Sequence, residues 1–208
     1  MEIIIPLKYL QLKHVLKRPD RYLSLIDDLV GLPCPDKLLI GLKEYHIPSN
    51  LDELTDTICY GQRLYLAEKQ TTDLGTILHV MTGYFYPLTG HSWNRDKAKV
   101  NLNKCLATDL FPAGLRILSL MGDLVEREQK LLNRKIKPEE AQAGIERLNK
   151  FAELSAIDYL RTSKNLKTDE EVMNLSYAEC LVRFLQEKEI QEYRERLQEI
   201  YESKKPKK

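Results

Sequence analysis

The sequence predicts an all-α fold, an irregular multi-helix bundle with a long, partly projecting C-terminal helix. Three observations carry that prediction. Apolar residues recur three or four positions apart, as in Leu74, Ile77, Leu78, Met81 and Phe85. Helix-start signals punctuate these runs, notably Thr168-x-x-Glu171 and Ser176-x-x-Glu179. A charged fraction of 30% beside an apolar fraction of 43% suits helices with one buried and one solvated face. At 208 residues the chain can bury a full core. The organisation expected is a helical core domain over 1–167, a capped helical extension over 168–202 and a disordered basic tail over 203–208.

In chain order, residues 1–6 form a β-branched run closed by Pro6, at most one extended segment. Residues 7–17 read as an amphipathic helix, and Lys8, Lys13, Lys17, Arg18 and Arg21 make this the most basic local face. Pro19-Asp20 opens a further helix that Gly31 terminates, and Pro33 and Pro35 stiffen the connector after it. A short helix is expected over 37–45. Residues 47–87 read as a helix pair: one helix starting near Ser49-Asn50-Leu51-Asp52 and carrying Leu54, Ile58 and Leu64, the other opened by Asp73 and running to Phe85. The polar loop after Pro87 holds the single tryptophan, Trp93, which either folds back on the core, the favoured reading, or is an exposed anchor for a partner.

Residues 108–135 are the strongest long helix, with Pro112 near its first turn, Leu115, Leu118, Met121 or Gly122, Val125, Gln129 and Leu132 along one face, and Ile117, Leu120, Leu124 and Leu131 widening that stripe on its shoulder. Pro138-Glu139-Glu140 starts another helix, through Ile145, Leu148, Ala152, Ser155 and Tyr159 to about residue 163. The two capping boxes follow, the second opening a long helix at Tyr177. Tyr177, Leu181 and Phe184 give it one apolar face. Ile190, Tyr193, Leu197, Ile200 and Tyr201 give a second, out of phase with the first, so the front of the helix packs on the domain and the back projects. This second stripe and Trp93 are the candidate partner-binding residues, and homo-oligomerisation through the C-terminal helix is one form such binding takes. Lys204, Lys205, Lys207 and Lys208 end the chain as a basic tail able to meet nucleic acid or an acidic partner.

Reactive chemistry has no visible foothold. The four cysteines are scattered without C-x-x-C, and no histidine lies within four residues of another, so no metal, cofactor or catalytic residue is nominated. Neither phosphate-cradling glycine motif nor G-x-S-x-G occurs. Adjacent acids such as Asp27-Asp28 lie about 100° apart on a helix and cannot converge on one substrate. A helix-turn-helix over 62–84 would have a recognition helix without Lys or Arg. A net charge of +1 gives no overall field for nucleic acid. No apolar run nears the ~20 residues of a membrane span, and the N-terminus lacks the basic start of a signal peptide. The expectation is a non-enzymatic cytoplasmic protein without membrane association. A helical enzyme would instead show a deep polar pocket around His79 and His91.

Leu51-Asp52-Glu53-Leu54-Thr55, Tyr60-Gly61-Gln62, the Asp73-led helix ending Gly83-Tyr84-Phe85-Tyr86-Pro87, and Asn174-Leu175-Ser176-Tyr177 together resemble small all-helical assembly and virion-associated proteins of tailed bacteriophages. The likeness spans residues 51–87 and 168–201. It implies a structural or assembly component, a tail or baseplate assembly chaperone or a minor virion protein, acting as a scaffold through contacts with other virion or assembly proteins. Such a protein resides in the host cytoplasm or the virion, and the resemblance transfers no catalytic residue. The alternative, read from the residues, is a nucleic-acid-binding accessory protein using the basic N-terminal face and the C-terminal lysines.

Overall fold

Helices dominate the chain as its periodicity predicts, with a small sheet that the periodicity does not announce. The computed structural model describes residues 10–17, 29, 31–68, 71, 73–133 and 138–204. The extended segment expected over 1–6, most of the helix expected after Pro19, and Lys8, Arg18, Arg21, Lys205, Lys207 and Lys208 lie outside the described residues.

Helix α1, Leu12–Lys17, buries Leu12 and Val15. It is tied at its start to the chain around the start of the helix that begins at Ala107, where the Leu12 amide donates to the Cys105 carbonyl at 3.0 Å and the Ala107 amide to the Leu10 carbonyl at 2.7 Å. Over residues 37–46 the expected short helix is replaced by an antiparallel hairpin, β1 Lys37–Ile40 and β2 Lys43–His46, paired from Lys37 opposite His46 to Ile40 opposite Lys43. Leu38 and Ile40 point inward and Lys37 and Leu39 outward, the period of two that a strand requires. Gly41, at φ +66°, takes the first place of the two-residue turn, where a II′ hairpin uses glycine.

Helix α2, Leu51–Thr57, is capped one residue later than the sequence suggests. Asn50 accepts the Glu53 amide at 2.9 Å, and Glu53 in return accepts the Ser49 amide at 2.7 Å. That amide, with His46 beside it, holds the Glu53 carboxyl below its ordinary value. The first helix of the expected pair is split. Ile58 and Cys59 run extended, and helix α3, Tyr60–Ala67, begins after them. Helix α4, Leu74–Leu88, starts where predicted: Asp73 accepts the Thr76 amide at 2.9 Å. Hydrogen bonds from Thr71 and Thr76 pull the Asp73 carboxyl down to about 2. A depressed acid contributes stability above its unfolded value near 3.8 and loses it as pH falls through about 2. Asp73→Ala should therefore lower the urea midpoint at pH 7, and the deficit against the native chain should shrink on titration from about pH 4 to about pH 2.

Helix α5, Ala107–Leu132, is the spine of the fold, and α4 packs along it. Its buried face runs through Leu110, Phe111, Gly114, Ile117, Met121, Leu124 and Glu128, centred on the shoulder that Ile117 and Leu124 mark and not on the main stripe, so Gln129 is exposed. Pro112 sits in the second turn, not the first, and its missing N–H leaves the Thr108 carbonyl without the usual i+4 donor. At Gly114 a Cβ would lie 2.7 Å from Ile77 Cγ2, so α4 and α5 approach closely only because this residue has no side chain.

The single helix expected from Pro138 to about residue 163 is three pieces: α6 Pro138–Gln142, a 3₁₀ turn at Ile145–Phe151, and α7 Ala152–Ser163. Gly144 at φ +80° makes the break after α6. Helix α8, Asp169–Met173, carries the predicted Thr168 capping box: Thr168 Oγ1 accepts the Glu171 amide at 3.2 Å, and Glu171 accepts the Thr168 amide at 3.3 Å. Helix α9, Tyr177–Ser203, completes the fold. The second capping box does not form, because Ser176 makes a backbone bridge to Cys59 and Glu179 turns to Lys164. The helix continues through Ser203 to its C-cap at Lys204, so the basic tail starts later than residue 203.

One buried cluster takes in Val15, Leu38, Ile77, Phe111, Leu160, Val172, Tyr177, Cys180 and Leu181 alike. The boundary expected at residue 168 therefore falls inside the core, and α9 contributes buried side chains as far as Leu181. Among the described residues no helix is long and apolar enough to cross a membrane.

Candidate interaction site

Helix α9 is held to the body by a clasp between two segments distant in sequence. The Tyr60 amide donates to the Leu175 carbonyl at 2.9 Å and the Tyr177 amide to the Ile58 carbonyl at 3.0 Å, around the antiparallel bridge of Cys59 with Ser176. This is why α2 and α3 are separate: the backbone at Ile58 and Cys59 must be extended to present its polar groups sideways. Gln62 closes the same corner. Its carbonyl oxygen accepts the Cys59 amide at 2.9 Å, and its amide donates to the carbonyls of Gly83 and Tyr84 at 2.9 and 3.0 Å, so a 2% exposed polar side chain is fully partnered.

Beneath the clasp lies an ionic cluster. The Arg63 guanidinium grips Glu128 with two of its nitrogens, Nε at 2.8 Å and Nη2, and Tyr177 donates its hydroxyl to the same carboxylate. Glu128 is 8% exposed, so α3, α5 and α9 meet on one shielded charge. Tyr60 packs beside Phe184, and burial pushes its phenol up to about 12. The buried thiols Cys105 and Cys180 are likewise pushed up by burial, to about 11 and about 12, which makes them inert side chains at neutral pH.

Trp93 folds back on the core. At 3% exposure it is not an anchor for a partner, which removes it from the candidate partner-binding residues. Asn174 clamps its backbone, accepting the Trp93 amide at 2.5 Å and donating to the Trp93 carbonyl at 3.1 Å. Its ring sits in a run of contacts, His79 stacked on Tyr65 at 3.8 Å, Tyr65 and Tyr86 edge-on to Trp93, and Tyr86 stacked on His91. His79 also meets the Tyr65 carbonyl at 2.8 Å. Both histidines thus sit in aromatic stacks, and neither lines the cleft beside Trp93. That cleft, of about 250 Å³, is bordered by Glu68, Asp96, Glu153 and Glu170, with Arg95 paired to Glu68 at 2.9 Å. Among the described residues no three His, Cys, Asp or Glu side chains are placed to hold a metal ion.

The second apolar stripe of α9 stands open. Ile190, Tyr193, Ile200 and Tyr201 are between 44% and 60% exposed, and Leu197 is half-buried. No residue of the helix beyond Leu181 is buried. Lys188 fixes the orientation: its ammonium donates to the Leu131 carbonyl at the end of α5 at 2.7 Å. At 100° per residue the stripe centres about 170° around the helix from Lys188, so the face held to the body and the apolar face are opposite. Where α7, α9 and the end of α5 meet, Leu132, Ala156, Tyr159 and Phe184 line a groove of about 510 Å³.

Of the nominated basic residues, Lys13, Lys17 and Lys204 are described and all three are exposed. Lys13 is brought beside the 97–104 segment, its amide donating to the Asn103 carbonyl at 3.1 Å. That segment adds Lys97, Lys99 and Lys104, and no acid occurs from Lys97 to Thr108. Periodicity does not single out these lysines, because they lie in irregular backbone without a helical face. The signal that could have found them is that acid-free run.

No family model, no curated protein and no solved structure matches the chain.

Proposed function

We infer that the protein is a non-enzymatic docking protein whose working surface is the outward stripe of α9, and that this stripe pairs with the same stripe of a second copy. The observation that carries the reading is the spacing of Ile190, Tyr193, Leu197 and Ile200, alternating three and four on the side of the helix opposite its attachment. The flanking charges are self-complementary. In a parallel pair Glu189 of one copy faces Arg194 of the other, and no like charges meet across the seam. Two heptads bury less than the roughly 1,200 Å² of a standard stable interface, so the association is weak and follows concentration.

Sedimentation velocity over a concentration series should show a monomer–dimer equilibrium. Ile190→Asp with Leu197→Asp should return the chain to a monomer with an unchanged thermal unfolding curve, since neither residue is in the core. A native chain that stays monomeric to its solubility limit would sink the self-pairing.

The narrower reading, a tail or baseplate assembly chaperone or minor virion protein of a tailed bacteriophage, is supported by the resemblance of residues 51–87 and 168–201 alone. Much of what carries that resemblance also holds the fold together, since Tyr60, Gly61, Gln62, Asn174, Leu175, Ser176 and Tyr177 build the clasp and its surroundings. Portal, capsid or tail genes beside its own gene would support the narrower reading, and a neighbourhood of metabolic genes would remove it.

A further inference from the structure

Away from α9, the hairpin turn and the 97–104 segment enclose a depression of about 340 Å³ lined by Tyr45, Thr89, Lys99, Asn101 and Lys104. Among the described residues no carboxylate lines it. Lys99 and Lys104 are exposed and have no ion-pair partner among the described residues, whereas Lys37, Arg95, Arg127, Lys130 and Arg161 each meet an acid. Glu44, the acid of the neighbouring strand, is engaged by Lys37 at 3.3 Å. Asn101 uses its side-chain oxygen to accept the Asn103 amide at 3.3 Å, which leaves its NH₂ group free to donate. Tyr45 is half-buried, its ring set edge-on to Phe85 at 5.8 Å, so the core fixes it at the depression. Lys13, beside Asn103, and Lys43 and Lys97 carry the positive surface beyond the depression's rim.

We propose that this depression binds single-stranded nucleic acid. Lys99 and Lys104 meet backbone phosphates, the Asn101 amide donates to a phosphate or base edge, and the Tyr45 ring supports a base. Unpaired cations following a backbone, with an aromatic ring between them, are the combination that single strands require. The site is independent of the α9 surface and differs from a basic face confined to residues 8–21.

The test is fluorescence anisotropy of a labelled oligothymidylate with the full chain across a salt series, using three variants. Lys99→Ala with Lys104→Ala should weaken binding at least tenfold and reduce the log–log salt slope by about 1.4, at roughly 0.7 per phosphate contact on a single strand. Lys130→Ala with Lys150→Ala, which removes the same charge elsewhere, should leave both unchanged. Tyr45→Leu should weaken the oligonucleotide while leaving competition by inorganic polyphosphate unaltered, with a circular-dichroism melt confirming the fold. No binding at low ionic strength, or equal losses in the two lysine pairs, overturns the proposal. A Tyr45→Leu variant that binds oligonucleotide as the native chain does would reduce the site to a general polyanion surface and overturn the nucleic-acid assignment. Each outcome leaves the α9 pairing unaffected, since the stripe lies elsewhere.

Discussion

Glu128→Ala is expected to remove about 3 kcal/mol of unfolding free energy, the scale seen when one member of a buried ion pair is deleted. The loss is more than that of a contact. Arg63, whose side chain is only 20% exposed, keeps its charge without a counterion, and the Tyr177 hydroxyl loses its acceptor in the interior. In urea this should appear as a lower midpoint at unchanged slope, because the surface exposed on unfolding stays the same. Replacing all three groups at once, Arg63→Met, Glu128→Leu and Tyr177→Phe, should recover most of the loss, since the burden is the uncompensated charge and not the missing ion pair. A Glu128→Ala chain as stable as the native one would mean that solvent reaches the cluster.

Gly61→Ala should cost about 2–3 kcal/mol through overpacking. A Cβ there would fall 2.2 Å from Trp93 Cδ1 and 2.3 Å from Nε1, with the Met173 carbonyl at 3.0 Å on another side. The indole cannot step back easily, because Asn174 holds its backbone on both polar groups and Tyr65 and Tyr86 flank its ring. Trp93 is the sole tryptophan, so its emission reports the displacement directly and should shift to the red in the variant. Trp93→Ala alone opens a cavity worth roughly 3–5 kcal/mol, but the double variant should be less unstable than the sum of the two, as contacting residues demand. Strict additivity would show that the two do not touch.

Long periodic helices and their polar caps could be read from the sequence, because both are local. Asp73 and the Thr168 box name their helix starts within four residues, and α4 and α5 have enough turns for periodicity to speak. The hairpin escaped because its four-residue strands are too short to separate a period of two from one helical turn. The break at Ile58 and Cys59 escaped for a different reason: it is imposed by Ser176, which lies far along the chain. On α5 the apolar count marks Ile117, Leu118, Met121 and Leu124 but places Gln129 inside in place of Glu128, since Gly114 and Glu128, central to the buried face, score against burial. In the candidate sites the same division holds. The α9 stripe is a repeat within one helix and was visible, but the depression beside Tyr45 gathers residues from β2, the end of α4 and an irregular segment, which only tertiary structure brings together.

The pairing of residues 58–60 with 175–177 also constrains how the molecule is made. A ribosome releases Ile58 long before Tyr177, and until then the Tyr60 amide and the Ile58 carbonyl can be satisfied by water alone. The nascent polypeptide must wait, partly collapsed and open to chaperones and proteases, for its final helix to arrive. Premature termination before Leu181 therefore yields a species destined for degradation and not a smaller working version.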